Sequence, residues 1–200
     1  MCLVLALLWA GKAAAESLVM VTPLRGAVGA ALEHHLEEVL QECDKEGVAL
    51  LVLEVDTPGG LVSSMREMVR MIQNAPCPVV AWVAPGGAQA ASAGAFLLEA
   101  AHVAAMAEGT NVGAAHPVGA GGDEKGEMDR KITNDLTAQM RSLAQLRGRN
   151  VDAAALMVTE SASYPSREAL EGGVVDLVVG DLAALISSVE GRIVTMPQKE

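Results

Sequence analysis

The sequence predicts an α/β protein with mostly parallel, buried strands flanked by helices, and three observations lead there. Residues 48–55 and 79–83 are nearly unbroken apolar runs rich in Val, as suits strands buried on both faces of a sheet. Each follows a helix-length segment with apolar residues at helical spacing, the alternation of β-α-β units with right-handed crossovers. At 200 residues, 51% hydrophobic and 20% charged, the chain can bury the core of one domain. Aromatics are only 2%, so that core must be aliphatic, built from Ala, Val, Leu, Ile and Met.

The elements follow in order. Residues 19–21 read as a short strand. Over residues 30–46, Leu32, Leu36, Val39 and Leu40 form one stripe with Glu33, Glu37 and Glu38 off it, and Gly47 stops the helix. The strand at 48–55 is broken by Thr57-Pro58-Gly59-Gly60. Val62, Met65, Val69 and Ile72 define the next helix, which Pro76 and Pro78 end before the strand at 79–83. Pro85-Gly86-Gly87 turns the chain, residues 88–101 read as a helix of small residues, and 103–106 as a short strand. The glycine-rich, charged stretch 118–128 reads as a mobile loop. Helices are expected at 129–146, closed by Gly148, at 151–158 and at 166–170. A strand is expected at 174–179, then a last helix at 182–189 with Asp181 as N-cap.

Composition also removes function classes. A net charge of -11 and a pI near 4.8 oppose nucleic-acid binding, which needs a basic surface. No Gly-Lys-Ser/Thr follows either diglycine turn and no G-x-G-x-x-G occurs, so phosphate cofactors lose support. Nothing in the cysteine spacing resembles a metal site. The apolar run from Leu3 to Ala10, followed by Ala13-Ala14-Ala15, is too short for the roughly 20 residues of a membrane span and fits a signal peptide over residues 1–15. No basic residue precedes the run, which leaves a truncated or misassigned start as the alternative. Residues 16–200 then form a single exported domain. Its cysteines, Cys43 and Cys77, are either a disulfide or two buried thiols, and nothing in their spacing demands the bond.

Ligands of parallel α/β sheets collect beyond the carboxyl ends of the strands, where both diglycine turns fall. Bare backbone N–H groups at Gly59 and Gly60 suit an oxyanion, although such a turn is commonly a turn and nothing more. Ser92 lies among small residues in the expected helix, as an uncovered nucleophile or as part of a helix-packing seam. Of the histidines, His34 and His35 read as solvent-exposed, His102 as a structural partner, and His116 as the one near the presumed cleft. No G-x-S-x-G elbow is present, which disfavours an α/β-hydrolase triad.

Taken together, Thr57-Pro58-Gly59-Gly60, the string from Pro85 to Gly94, the string from Met106 to Ala114 and Lys131-Ile132-Thr133-Asn134 resemble the NfeD family of ClpP-class, membrane-associated serine proteases. The resemblance implies a ClpP/crotonase-like β-α-β spiral and a Ser–Lys dyad, with Ser92 as nucleophile and Lys131 as general base. It also implies an oxyanion hole of Gly60 and Ala93 N–H groups shaped by Gly59, with no metal or organic cofactor. It further implies hydrophobic segments of membrane proteins as substrates, a stomatin-like protein as partner, a homodimer, and a place outside the cytoplasm, periplasmic or otherwise, peripheral to the membrane. Gln89 stands where relatives often carry a small residue, which narrows the entrance near Ser92.

The dyad carries a physical requirement. A lysine that accepts a proton from serine must be neutral for part of the time, so its pKa must fall from about 10.4 to about 7–8, which takes desolvation or a nearby cation. Arg130 and an apolar cleft supply both. Asp135, four residues on, offers instead a helix salt bridge that would hold Lys131 charged. Leu61, Met65, Met68 and Phe96 are expected to present apolar contacts to substrate, with His116 beside them. A crotonase-like acyl-CoA enzyme, for which Arg66 and Arg70 are a thin phosphate-binding supply, and a non-catalytic scaffold are the alternatives.

Overall fold

The computed structural model describes residues 17–117 and 125–196. The proposed signal peptide and residues 118–124 lie outside the described residues. Strands β1 (Val19–Arg25), β2 (Leu50–Asp56), β3 (Val79–Val83), β5 (Val103–Met106) and β8 (Leu177–Val178) form a parallel sheet in the order β1-β2-β3-β5-β8. A second sheet joins β4 (Gln89–Ala91) parallel to β6 (Asn111–Gly113), and β6 antiparallel to β7 (Ser163–Pro165). The helices among the described residues are α1 (Ala30–Glu46), α2 (Val62–Gln73), α3 (Ala93–Ala100), α4 (Lys125–Arg147), α5 (Val151–Thr159), α6 (Ser166–Glu171) and α7 (Leu182–Val189).

The unbroken apolar runs of β2, β3 and β5 have a direct cause, because both faces of the large sheet are covered. Leu51, Leu53, Val55, Val79, Ala81, Val83, Ala104 and Met106 point into the main core with α1, α2 and α3 residues. Their alternates Val52, Val80, Trp82, Val103 and Ala105 pack against Leu185 of α7. This is period-two alternation with apolar residues on both faces. Asp181 caps α7, its carboxylate accepting from Ala184 N–H at 2.8 Å. Gly47 ends α1 in the left-handed conformation.

The C-terminal end of α3 is held by an ionic cluster. Arg149 donates to the carbonyls of Leu98, Glu99 and Ala101 and to the carboxylates of Glu99 and Asp176. Its side chain is 2% exposed and that of Glu99 0%. The guanidinium thus satisfies the helix-end carbonyls of Glu99 and Ala101 and adds a second donor to Leu98 O, which also accepts from Ala101 N–H at 3.2 Å. Arg147 adds a bond to Ala100 O at 2.9 Å. Burial pushes the Glu99 carboxyl up to about 7 although Arg149 pulls it down. His102 behaves as the structural partner expected, its Nδ1 accepting from Val79 N–H at 3.1 Å.

Several expectations need correction. Residues 88–101 are not one helix: Ala90 and Ala91 pair with Val112 and Gly113 in β4, and the helix starts only at Ala93. Helix α4 begins at Lys125, inside the stretch read as a loop. β1 extends to Arg25 because every residue pairs with β2, whereas within 174–179 only Leu177 and Val178 form strand, in register with β5, flanked by bonds from Asp176 N–H to Ala104 O and from Val179 N–H to Met106 O, both 2.9 Å. His35 is not solvent-facing, since Thr22 Oγ1 lies 2.8 Å from its Nε2.

Candidate active site

Ser92 stands between β4 and α3, and the junction forces an unusual backbone. Its φ is 54 and ψ -116, a conformation L residues rarely adopt and one that costs on the order of 1–3 kcal/mol. Neighbouring bonds hold it there: Ser92 N–H donates to Gly113 O at 2.8 Å, and Ala91 N–H to Thr57 O at 3.0 Å. Ser92 is therefore the residue that turns strand into helix, half-buried, at the positive end of the α3 dipole.

The diglycine turn lies directly against it. A Cβ on Gly59 would sit 2.5 Å from Ser92 Cβ and 2.9 Å from Ser92 Oγ, and Gly59 has φ +107. Only glycine fits. Gly59 N–H is already taken, donating to Thr57 Oγ1 at 3.1 Å. Gly59 O accepts from Val28 N–H at 2.8 Å, and in a trans peptide the following N–H, that of Gly60, points the opposite way. Among the described residues nothing accepts from Gly60 N–H or from Ala93 N–H at the first position of α3. A half-buried hydroxyl beside two unspent backbone donors can attack a carbonyl and accommodate the resulting oxyanion.

Lys131 is placed differently from the dry pocket expected of it. It lies near the start of α4, about 140° around the helix from buried Leu136. Its side chain is 67% exposed and its Nζ is 2.8 Å from Glu127 Oε1. The alternative bridge to Asp135 does not form either, because Asp135 pairs with Arg66 of α2. Glu127, Lys131 and Asp135 share one face of α4, and that ion pair turns it toward α2, the helix that follows Gly60. Among the described residues no hydrogen bond joins Lys131 to Ser92.

A family model for the NfeD1b N-terminal domain matches residues 18–196. The chain belongs to that family. It is 33% identical over 186 residues to the membrane-bound protease PH1510 of Pyrococcus horikoshii, covering 92% of this chain and 42% of that protein. It is 33% identical over 132 residues to the membrane protein NfeD1b of Bacillus subtilis, covering 66% of this chain and 29% of that one. The chain therefore spans less than half the length of these relatives. Among solved structures, a serine-to-alanine mutant of the 1510-N membrane-bound stomatin-specific protease superposes with TM-score 0.85 at 33% identity, covering 92% of this chain and 89% of that one. A lysine-to-alanine mutant of the same protease in complex with a substrate peptide gives TM-score 0.85 at 32% identity, covering 92% and 84%. ClpP1 of Listeria monocytogenes, at 16% identity and TM-score 0.63 over 82% of this chain and 94% of that one, shares the fold.

The remaining expectations divide within this NfeD1b domain. Leu61, 61% exposed beside Gly60, is available to a ligand. Met65, Met68 and Phe96 are not: all three are buried in the main core, since α2 and α3 turn those faces inward. His116 is exposed and its Nδ1 is 2.8 Å from Val158 O, which ties it to α5. Arg66 and Arg70 are engaged by Asp135 and Glu67, so neither is a free phosphate ligand. Cys43 and Cys77 are buried free thiols, and burial, reinforced by Cys43, pushes Cys77 up to about 12. Among the described residues no group of three metal-ligating side chains converges. A hollow of about 720 Å³ lined by Leu40, Met71 and Pro76 does not include Ser92. Sequence reasoning gave Thr57 no role beyond breaking a strand, although a hydroxyl two residues before Gly59 is a turn-forming signal.

Proposed function

We propose that this chain is the catalytic domain of a serine endopeptidase that cleaves hydrophobic segments of membrane-associated proteins. Ser92 is the nucleophile, Lys131 the general base, and the N–H groups of Gly60 and Ala93 the oxyanion donors, with Gly59 shaping the turn. The observation that carries this reading is the strained Ser92 pressed against Gly59, with two backbone donors beside it unspent. The relatives named membrane-bound and stomatin-specific proteases support a stomatin-like partner. Leu61 supports apolar substrates, and the net charge of -11 disfavours acidic ones.

In this reading the Ser92 hydroxyl adds to the scissile carbonyl while its proton passes to neutral Lys131 Nζ. The tetrahedral oxyanion is held by Gly60 and Ala93 N–H groups. The bond to the leaving nitrogen then breaks as that nitrogen takes the proton back from Lys131, and water hydrolyses the acyl-serine. Lys131 must first leave Glu127 and water, which substrate binding or a second copy of the chain accomplishes by covering the first turns of α4. A homodimer, a cleaved signal peptide and an extracytoplasmic place peripheral to the membrane belong to the same proposal. Among the described residues no helix is long and apolar enough to cross a membrane.

The Lys131–Glu127 ion pair favours a second reading, a non-catalytic ClpP-like scaffold that binds a stomatin-like partner. A serine-reactive phosphonate separates the two. The protease reading expects wild type to be labelled and Ser92→Ala to be blank, while equal labelling of both, or of neither, contradicts it.

A further inference from the structure

Thr57 is buried one residue beyond β2, between the diglycine turn, β4 and the first turn of α3. Its backbone is clamped to β4: Thr57 N–H donates to Gln89 O at 2.8 Å, Thr57 O accepts from Ala91 N–H, and the residue bridges Ala90. The two branches of its side chain point to different neighbours. Oγ1 accepts from Gly59 N–H at 3.1 Å. The methyl lies where Gly94 has no side chain, since a Cβ on Gly94 would come within 2.5 Å of Thr57 Cγ2. Both branches are used, and neither Val nor Ser reproduces the pair.

The consequence concerns which donors remain for an oxyanion. The peptide before Gly59 is held through its N–H by Thr57, and the peptide after it is held through its carbonyl by Val28. With both planes fixed, Gly59 N–H is consumed and Gly60 N–H is turned outward. We propose that Thr57 is a positioning residue that selects Gly60 as the oxyanion donor, its hydroxyl occupying Gly59 N–H while Gly94 locks its methyl. This inference rests on the serine endopeptidase reading. Without the hydroxyl, Gly59 N–H is buried with no acceptor, the turn reorients to satisfy it, and the Gly60 donor moves with it.

The test uses the full chain, an apolar chromogenic peptide and amide exchange of Gly59 followed by NMR. Thr57→Val keeps the shape and loses the hydroxyl. It is expected to lower kcat roughly ten- to hundredfold with KM within about twofold, and to speed Gly59 exchange at least about tenfold. Thr57→Ser keeps the hydroxyl and should retain kcat within about threefold. Gly94→Ala should reproduce the Thr57→Val loss by displacing the methyl, and the double variant Gly94→Ala with Thr57→Ser should recover most of it, because Ser leaves room for the new Cβ. Unchanged kcat in Thr57→Val, or equal losses in Thr57→Ser and Thr57→Val, overturns the inference. Failure of the endopeptidase reading looks different: Ser92→Ala would cleave as well as wild type. In that event the oxyanion role of Gly60 falls with the reading, and Gly59 exchange reports only whether the Thr57 hydroxyl holds the turn.

Discussion

Gly59 and Ser92 are in van der Waals contact, with no room between them for a methyl group. Gly59→Ala therefore meets two penalties, a clash with Ser92 Cβ and a left-handed backbone that Ala disfavours. The variant is expected to be destabilised by about 2 kcal/mol or more in urea unfolding and to lose phosphonate labelling. Wild-type labelling at wild-type stability would mean that the turn does not abut the nucleophile.

Ser92 itself holds strain that glycine would release. Ser92→Gly is expected to raise stability by about 1 kcal/mol, read as a higher urea midpoint, while cleavage disappears. Ser92→Ala, which keeps the Cβ and the strain, should gain less. Equal stability of all three proteins would show that the φ of 54 costs nothing.

The Arg149 cluster predicts a large loss. Arg149→Ala leaves the Glu99 carboxyl and the carbonyls of Glu99 and Ala101 at the α3 terminus without their donor, at a cost of about 3–5 kcal/mol. Because α3 carries Ser92 at its other end, labelling should fall as well. A urea midpoint within error of wild type would refute the structural role of the cluster.

Glu99 and His102 give stability opposite dependences on pH. Burial lifts Glu99 to about 7 from its ordinary 4.5. The folded state therefore keeps a proton that the unfolded state has lost, and this stabilisation is complete below pH 4.5 and vanishes as pH rises through 7. His102, lowered to about 4 from 6.5 by burial and then by Arg147 and Arg149, stabilises fully above pH 6.5 and fails as pH drops through 4. Relative to wild type, Glu99→Gln should gain on the order of 2 kcal/mol between pH 5 and pH 7.5, measured by urea unfolding at both. Parallel pH curves for the two proteins would contradict the raised Glu99 value.

What the sequence revealed, and what it hid, follows from locality. The strand at Val79–Val83 was legible to the residue because a parallel strand covered on both faces must be apolar throughout. β4 was hidden because Ala90 and Ala91 carry helical propensity, and only their pairing with Val112, Gly113 and Thr57 makes them a strand. That pairing also turned Ser92 from a residue within a helix into the strained junction before one. Apolar character alone marks Met65 and Phe96, and it does not distinguish a substrate wall from a core. Lys131 had carboxylates four residues away on both sides, and Arg66, distant in sequence, decided between them by taking Asp135.

The central claim is that Lys131 takes the proton of Ser92. Single-turnover cleavage of an apolar peptide by wild type and Lys131→Ala, with circular dichroism and urea midpoints on both, tests it most directly. Lys131→Ala is expected to lower the acylation rate by at least about a hundredfold while the fold and midpoint stay the same, since an exposed lysine adds little to stability. Acylation at the wild-type rate in Lys131→Ala would contradict it.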